Sequence, residues 1–142
     1  MCLIKNQFRK KHVKSDKDIT CYKVVRENYL LGKNVYYSTC RGFEYEVGKR
    51  YDDKSVPINE LDHLDILNDG VFHSYASRRD VPSDSIKASN DFRRICDDEE
   101  RYVIFECIIP KGTPYWVSAN GSELASKSLK IVKVIDPKDF KV

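Results

Sequence analysis

The chain has 142 residues, charged side chains at 33% of its positions and a formal net charge of +3 at pH 7. This length favours one domain with its own core, and the composition is that of a globular rather than a disordered chain. No apolar run is long enough to span a membrane and the first residues are basic, so we expect a cytoplasmic protein without a membrane partner.

Five cysteines are scattered along the chain, and no two of them form a CxxC pair: Cys2, Cys21, Cys40, Cys96 and Cys107. The odd number and the spacing argue against a disulfide framework and against a structural zinc site. We therefore expect no metal. Cys21 and Cys107 lie inside strand patterns and are predicted to be small core residues.

Residues 1–18 are predicted to form a basic, poorly ordered N-terminal arm, and residues 19–142 a single domain. The arm holds six basic side chains against two aspartates: Lys5, Arg9, Lys10, Lys11, Lys14 and Lys17. Such an arm is able to contact phosphates. No aromatic platform accompanies the charges, however, so a nucleic-acid partner is not expected.

The first half of the domain reads as strands separated by turns. Residues 19–26 alternate with a period of two, which predicts a strand. Its two faces are expected to carry Ile19, Cys21, Lys23 and Val25 on one side, and Thr20, Tyr22, Val24 and Arg26 on the other. A turn at 30–34, a short strand at 35–39 and a half-buried strand at 43–47 follow.

Two segments are predicted to be short helices or ordered loops. In residues 59–67, Leu61, Leu64 and Leu67 recur at helical spacing, and residues 83–95 follow Pro82 with a similar pattern. A strand at 71–77 lies between these segments. The acidic run at 96–100 is interpreted as a solvated turn, because a loop that binds a hard cation needs ligands at set spacings.

The strongest strand signal is at 102–109, which should form the centre of the sheet. One face of this strand is apolar, whereas the other carries a single carboxylate, Glu106. A turn at 110–113, a short strand at 115–117, a connector at 123–127 and a last strand at 128–135 complete the chain. The sum predicts an α+β fold, with a mainly antiparallel or mixed β-sheet and one or two short helices.

Three features of this pattern together suggest a ligand site. Arg26 ends the first strand, serines end the strand at 71–77, and Glu106 lies in the central strand. A guanidinium holds a pyrophosphate well, and a carboxylate facing a ribose stabilises an oxocarbenium-like centre. The structural alternative is that Glu106 pairs across strands with Lys130 or Lys133.

This order of residues resembles the ADP-ribosyltransferase-like fold, in which an Arg or His on the first strand is followed by a serine-rich strand and then by a Glu. The run from Glu106 through Pro110-Lys111-Gly112-Thr113 is similar to the last of these elements. The serines at 74 and 77 match the second element approximately. The resemblance implies NAD as the cofactor and Glu106 as the catalytic carboxylate.

A second resemblance covers about residues 22–135. The segments CRGFEYEVGKRY from Cys40, GVFHSY from Gly70 and ELASKSLKIVKVI from Glu123 look like an uncharacterised family of small domains from bacteriophages and gut bacteria. The family implies a shared fold and transfers no activity.

Three functions stay open at this point. The first is a bacteriophage or bacterial accessory protein that holds a nucleotide-like ligand or a host protein, and so interferes with host defence. In that protein the ligand-binding residues are Arg26, His73, Ser74, Tyr75 and Ser77. The second is an NAD-dependent ADP-ribosyltransferase, with Glu106 as its catalytic residue. The third is a structural or interaction protein that forms a homodimer through a strand edge.

Overall fold

The computed structural model describes residues 8, 11–38, 43–64, 67, 69–82, 100–136 and 139. These residues form ten strands, one short α-helix and one 3₁₀ turn, Arg78–Asp80. The strands are β1 Val13–Lys14, β2 Ile19–Leu30, β3 Lys33–Ser38, β4 Glu44–Tyr45, β5 Arg50–Asp52, β6 Phe72–Tyr75, β7 Glu100–Ile109, β8 Pro114–Val117, β9 Glu123–Ser126 and β10 Ser128–Ile135. The helix α1 is Ile58–Leu61.

The predicted α+β fold class is wrong, because the described chain is mainly β. The pairings between its strands are all antiparallel, and its α-helix has four residues. A helix this short does not repay the cost of nucleation by itself. It persists because Leu61 is fully buried against neighbouring strands. The second predicted helix, at 83–95, and most of the acidic run lie outside the described residues.

Strand β7 lies between β2 and β10, which confirms its predicted central place. The sheet order is β1-β8-β9-β6-β2-β7-β10-β5, with β3 paired to β2 and β4 to β3. β2 and β7 pair over ten positions, from Ile19 opposite Ile109 to Asn28 opposite Glu100. The other edge of β2 is shared, because β6 pairs with it at Tyr22 and β3 takes over from Val25.

The sheet curls so that two distant strands, β9 and β10, meet at one residue, Lys127. Strands β9 and β10 lie at opposite ends of the run β9-β6-β2-β7-β10, yet only Lys127 separates them in the chain. The Lys127 N–H donates to the Pro114 carbonyl at 3.1 Å, and its carbonyl accepts the Asp53 N–H at 2.8 Å. We call this junction the Lys127 corner.

The core lies on the inner face of the curled sheet, where the alternate side chains of β2, β6, β7 and β10 converge. Its buried members are Cys21, Val25, Tyr45, Phe72, Val103, Phe105, Cys107, Ile109, Leu124, Leu129 and Ile131. The outer face of the same strands carries a smaller cluster of Tyr22, Val24, Tyr75, Val81 and Ile104. The alternation predicted for β2 and β7 is therefore confirmed, and both Cys21 and Cys107 are core residues, each 0% exposed.

The described part of the predicted N-terminal arm lies against the sheet. Phe8 is buried beside Trp116, and β1 pairs with β8. Phe8 supplies the apolar surface that holds this segment. The domain boundary at residue 18 stays a prediction. Within the described ranges, no helix is long and apolar enough to cross a membrane.

The Asp62 carboxylate joins α1 to the N-terminal segment and to β8. It accepts hydrogen bonds from the His12 N–H at 2.9 Å and from Trp116 Nε1 at 3.0 Å, and it contacts the His12 ring Nδ1 at 2.9 Å. Burial acts to raise the pKa of Asp62, but the bonds from His12 and Trp116 outweigh it and hold that pKa below its ordinary value.

Because the pKa of Asp62 is lowered by folding, this carboxylate stabilises the protein above its unfolded-state pKa of about 4. The stabilisation is lost as the pH falls through the lower folded-state value. Asp62→Asn is expected to lower the free energy of unfolding by about 1 kcal/mol at pH 7. The difference from wild type should shrink towards pH 3, as followed by urea denaturation. Asp16→Asn, at an exposed position, is the control; an equal pH dependence in both variants would contradict the assignment.

Candidate functional site

The residues predicted to share one ligand site are divided between the two faces of the sheet. Arg26 and Glu106 follow the alternation of the outer face, which carries Tyr22 and Ile104. Ser74 follows Phe72 onto the inner face, where its hydroxyl lies beside the Cys21 thiol. The described geometry therefore gives Arg26, Ser74 and Glu106 no common cleft.

Arg26 and Glu106 are also far apart along their shared face. Arg26 is opposite Tyr102, whereas Glu106 is opposite Tyr22, four residues away along β2. At about 3.3 Å per residue, this offset is about 13 Å. On its other side Glu106 is opposite Lys133 of β10. Lys133 is one of the two lysines that were predicted as cross-strand partners of Glu106 if it does not bind a ligand.

The other three predicted ligand-binding residues make local contacts. The His73 ring stacks on Phe8, with 6.1 Å between the ring centroids, and the Ser77 hydroxyl donates to Asp80 at 2.7 Å. Tyr75 is buried in the outer cluster, and burial raises its pKa to about 12, with the Glu123 carboxylate adding to the shift. Their roles in binding a ligand stay predictions.

A lysine and two thiols meet on the inner face, at a place that the sequence analysis did not single out. Lys23 lies between Cys21 and Val25 on β2, and its Nζ donates to the His73 carbonyl at 2.7 Å. The same Nζ lies 5.8 Å from the centroid of the Tyr45 ring. Cys107 of β7 is directly opposite Cys21. The sequence did offer a signal for this cluster: Lys23 is a charged residue that alternates with the core residues Cys21 and Val25.

Burial and charge act on these groups in opposite directions. Burial lowers the pKa of Lys23, and the two thiols oppose that shift. A hydrogen bond from Cys107 lowers the pKa of Cys21 against the effect of burial, and Ser74 and Lys23 add to the lowering. Burial raises the pKa of Cys107. The pKa of Cys21 is therefore shifted below its ordinary value and that of Cys107 above it.

The tip of the β2–β3 hairpin is a second unusual feature. Two residues, Leu31 and Gly32, connect the strands with φ angles of 50° and 80°. Two positive φ angles define a type I′ turn, whose preferred sequence is Asn-Gly. In this chain the first turn position holds a leucine, whose backbone lies in the left-handed region. Leu31 is fully exposed, at 102%. Tyr29, which precedes the turn, is 55% exposed.

This tip extends beyond the neighbouring strand. The pairing of β7 with β2 ends at Asn28, whereas β2 continues to Leu30. A Cβ placed on Gly32 would meet no atom within 4 Å, so the turn stands clear of the rest of the described chain. A turn was predicted at 30–34. The signal in the sequence for its unusual tip is Leu31, a leucine at a position where asparagine suits the turn.

Fold and geometry together define a small, mainly antiparallel β protein with a projecting apolar hairpin tip and an internal thiol–lysine cluster. Comparison with protein-family models, with curated proteins and with solved structures found no match to this chain.

Proposed function

We propose that the protein is an accessory binding protein that recognises a partner protein through the tip of the β2–β3 hairpin. The observation that supports this function is the fully exposed Leu31 in a left-handed backbone conformation. Placing a residue other than Gly, Asn or Asp in that conformation lowers the stability by about 1 kcal/mol. Neither the exposure nor the conformation of Leu31 stabilises the isolated protein. Local features that oppose stability are typical of functional positions.

The chemistry of the tip indicates what the partner must offer. An inserted leucine side chain needs an apolar pocket, where its burial contributes about 2 kcal/mol. Tyr29, two residues before Leu31, is of a type that commonly carries binding energy at the centre of interfaces. The exposed charge at the base of the turn is Lys33. We therefore expect a protein with a leucine-sized apolar pocket and a neutral or acidic rim.

The resemblance to bacteriophage and gut-bacterial domains supports a host protein in the cytoplasm as this partner. A small ligand held between Arg26, Ser74 and Glu106 has less support, since these residues lie on different faces. For the same reason we do not propose an ADP-ribosyltransferase activity.

Leu31→Asn is expected to separate binding from stability. Asparagine suits the first position of a type I′ turn, so the variant should unfold with a free energy about 0.5–1 kcal/mol higher than that of wild type. The same change removes the inserted side chain and should weaken the affinity for the partner at least about tenfold. Urea denaturation measures the first effect, and calorimetry with the purified partner measures the second.

The partner is found with a photo-crosslinking amino acid placed at Lys33, and the crosslinked protein is then purified for calorimetry. Leu64→Asn is the matched control, because Leu64 is also an exposed leucine, at 45%, but lies outside the hairpin. Its affinity should equal that of wild type. Equal weakening by both variants would overturn the assignment to the tip. Crosslinking of the tip to a second copy of the chain would show that the tip forms a homodimer interface and does not bind a different protein.

A further inference from the structure

Cys21 and Cys107 face one another across two neighbouring strands. They are directly opposite in the antiparallel register of β2 and β7, and both side chains point to the inner face. Directly opposite residues have Cα atoms about 4.5–5.5 Å apart, which lies within the range of about 4.4–6.8 Å that a disulfide spans. Both are free thiols. A bond between the two sulfur atoms therefore needs little movement of the backbone.

The lysine beside these thiols has no carboxylate partner among the described residues. The neighbouring acid on the same face of β2 is Glu27, and Arg101 already binds it at 2.8 Å. Arg101 in turn binds Asp136 at 2.7 Å. The groups that favour the charged form of Lys23 are Cys21 and Cys107. A half-buried ammonium without a carboxylate partner is costly, and a thiolate formed in this pair would supply its counter-charge.

We propose that Cys21 and Cys107 form a dithiol site that hydrogen peroxide or an organic hydroperoxide oxidises to a cross-strand disulfide between β2 and β7. Cys21 is the attacking residue, because it lies two positions from Lys23 on the same face and next to the Ser74 hydroxyl. Cys107 is the resolving residue. This site is separate from the hairpin tip, and the inference does not depend on the proposed partner.

The reaction has two balanced steps. The Cys21 thiolate attacks one peroxide oxygen, so an S–O bond forms and the O–O bond breaks. The leaving hydroxide takes up the proton that Cys21 released and becomes water. The Cys107 sulfur then attacks the Cys21 sulfur, so the S–S bond forms and the S–O bond breaks. The second hydroxide leaves with the Cys107 proton as water. Two thiols are oxidised, and one hydrogen peroxide is reduced to two waters. With an organic hydroperoxide the first leaving group is an alkoxide, so the products are one alcohol and one water.

Peptide mapping of the folded wild-type protein tests the site directly. Trypsin cuts after Lys17, Lys23, Arg101 and Lys111, which places the two cysteines in peptides 18–23 and 102–111. After treatment with hydrogen peroxide and without reduction, we expect these peptides to be joined, with a mass lower by two hydrogen atoms than their sum. Reduction should separate them. Linkage that forms only in urea, or no linkage, would overturn the proposal.

Single substitutions test the role of each residue, in a background where Cys2, Cys40 and Cys96 are serine. Cys107→Ser should stop at a sulfenic acid on Cys21, which dimedone labels. Cys21→Ser should leave Cys107 unlabelled. Lys23→Met should slow the labelling of Cys21 at least about tenfold, because the thiolate loses its neighbouring cation.

Near-ultraviolet circular dichroism checks that each variant is folded. Labelling of Cys107 in Cys21→Ser at the rate seen for Cys21 would overturn the assignment of Cys21 as the attacking residue. An unchanged rate in Lys23→Met would overturn the role of the lysine. The mapping of wild type needs no substitution, so it decides the proposal even where a variant does not fold.

Discussion

Lys127→Met is expected to lower the free energy of unfolding by about 3 kcal/mol, because it leaves two carbonyl groups without their donor. The Lys127 ammonium donates to the Gly70 carbonyl at 2.7 Å and to the Val56 carbonyl at 2.9 Å. The residue as a whole is 9% exposed. Methionine keeps the length and most of the apolar surface of the stem, so the loss reports the hydrogen bonds rather than a cavity.

Lys130→Met is the matched control, since Lys130 is an exposed lysine on β10, three residues after the corner. Its change in stability should be within about 0.5 kcal/mol of zero. Urea denaturation of both variants measures the difference. A midpoint for Lys127→Met equal to that of wild type would show that water replaces the ammonium, and that the Lys127 corner does not depend on its side chain.

Gly70→Ala is also expected to lower the free energy of unfolding by about 3 kcal/mol, for two separate reasons. Gly70 has a φ of +80°, which an alanine adopts only with strain. An added Cβ would also lie 2.7 Å from the Cβ of Val56 and 2.8 Å from its Cγ2. Since both Val56 and Gly70 supply carbonyls to Lys127, the displacement would reach the Lys127 corner.

Gly112→Ala separates the two reasons. Gly112 has nearly the same φ, +84°, but an added Cβ there meets no atom within 4 Å. The control should therefore show the backbone strain alone, about 1 kcal/mol. The difference between the two variants in a urea denaturation series measures the contact with Val56. Equal losses at both positions would mean that Val56 moves aside without cost.

Local patterns predicted the main strands and their faces well. The period-two alternation of β2 and β7 placed Cys21 and Cys107 in the core, and the strand predicted at 128–135 is β10. Where the pattern was weak the prediction was wrong. Residues 123–127 were interpreted as a connector, but 123–126 form β9, because polar residues such as Ser126 are buried between two neighbouring strands.

The predicted ligand site shows the limit of local reasoning more sharply. The residues Arg26, Ser74 and Glu106 were grouped by their order along the chain and by a family resemblance. The face on which each of them lies depends on the register between strands that are distant in sequence. That register places Ser74 on one face of the sheet and the other two residues on the other face. One residue of offset moves a side chain to the other face of a sheet.

The sequence by itself determined the longest strands, which of their faces are apolar and where the central strand lies, because these follow from the period of two within single segments. Only the tertiary structure decided that the sheet curls until β9 and β10 meet at Lys127. It also decided that Lys23 lies beside two thiols and that Leu31 projects into solvent. These arrangements depend on pairings between distant strands and on the absence of a neighbour at the hairpin tip within the described chain.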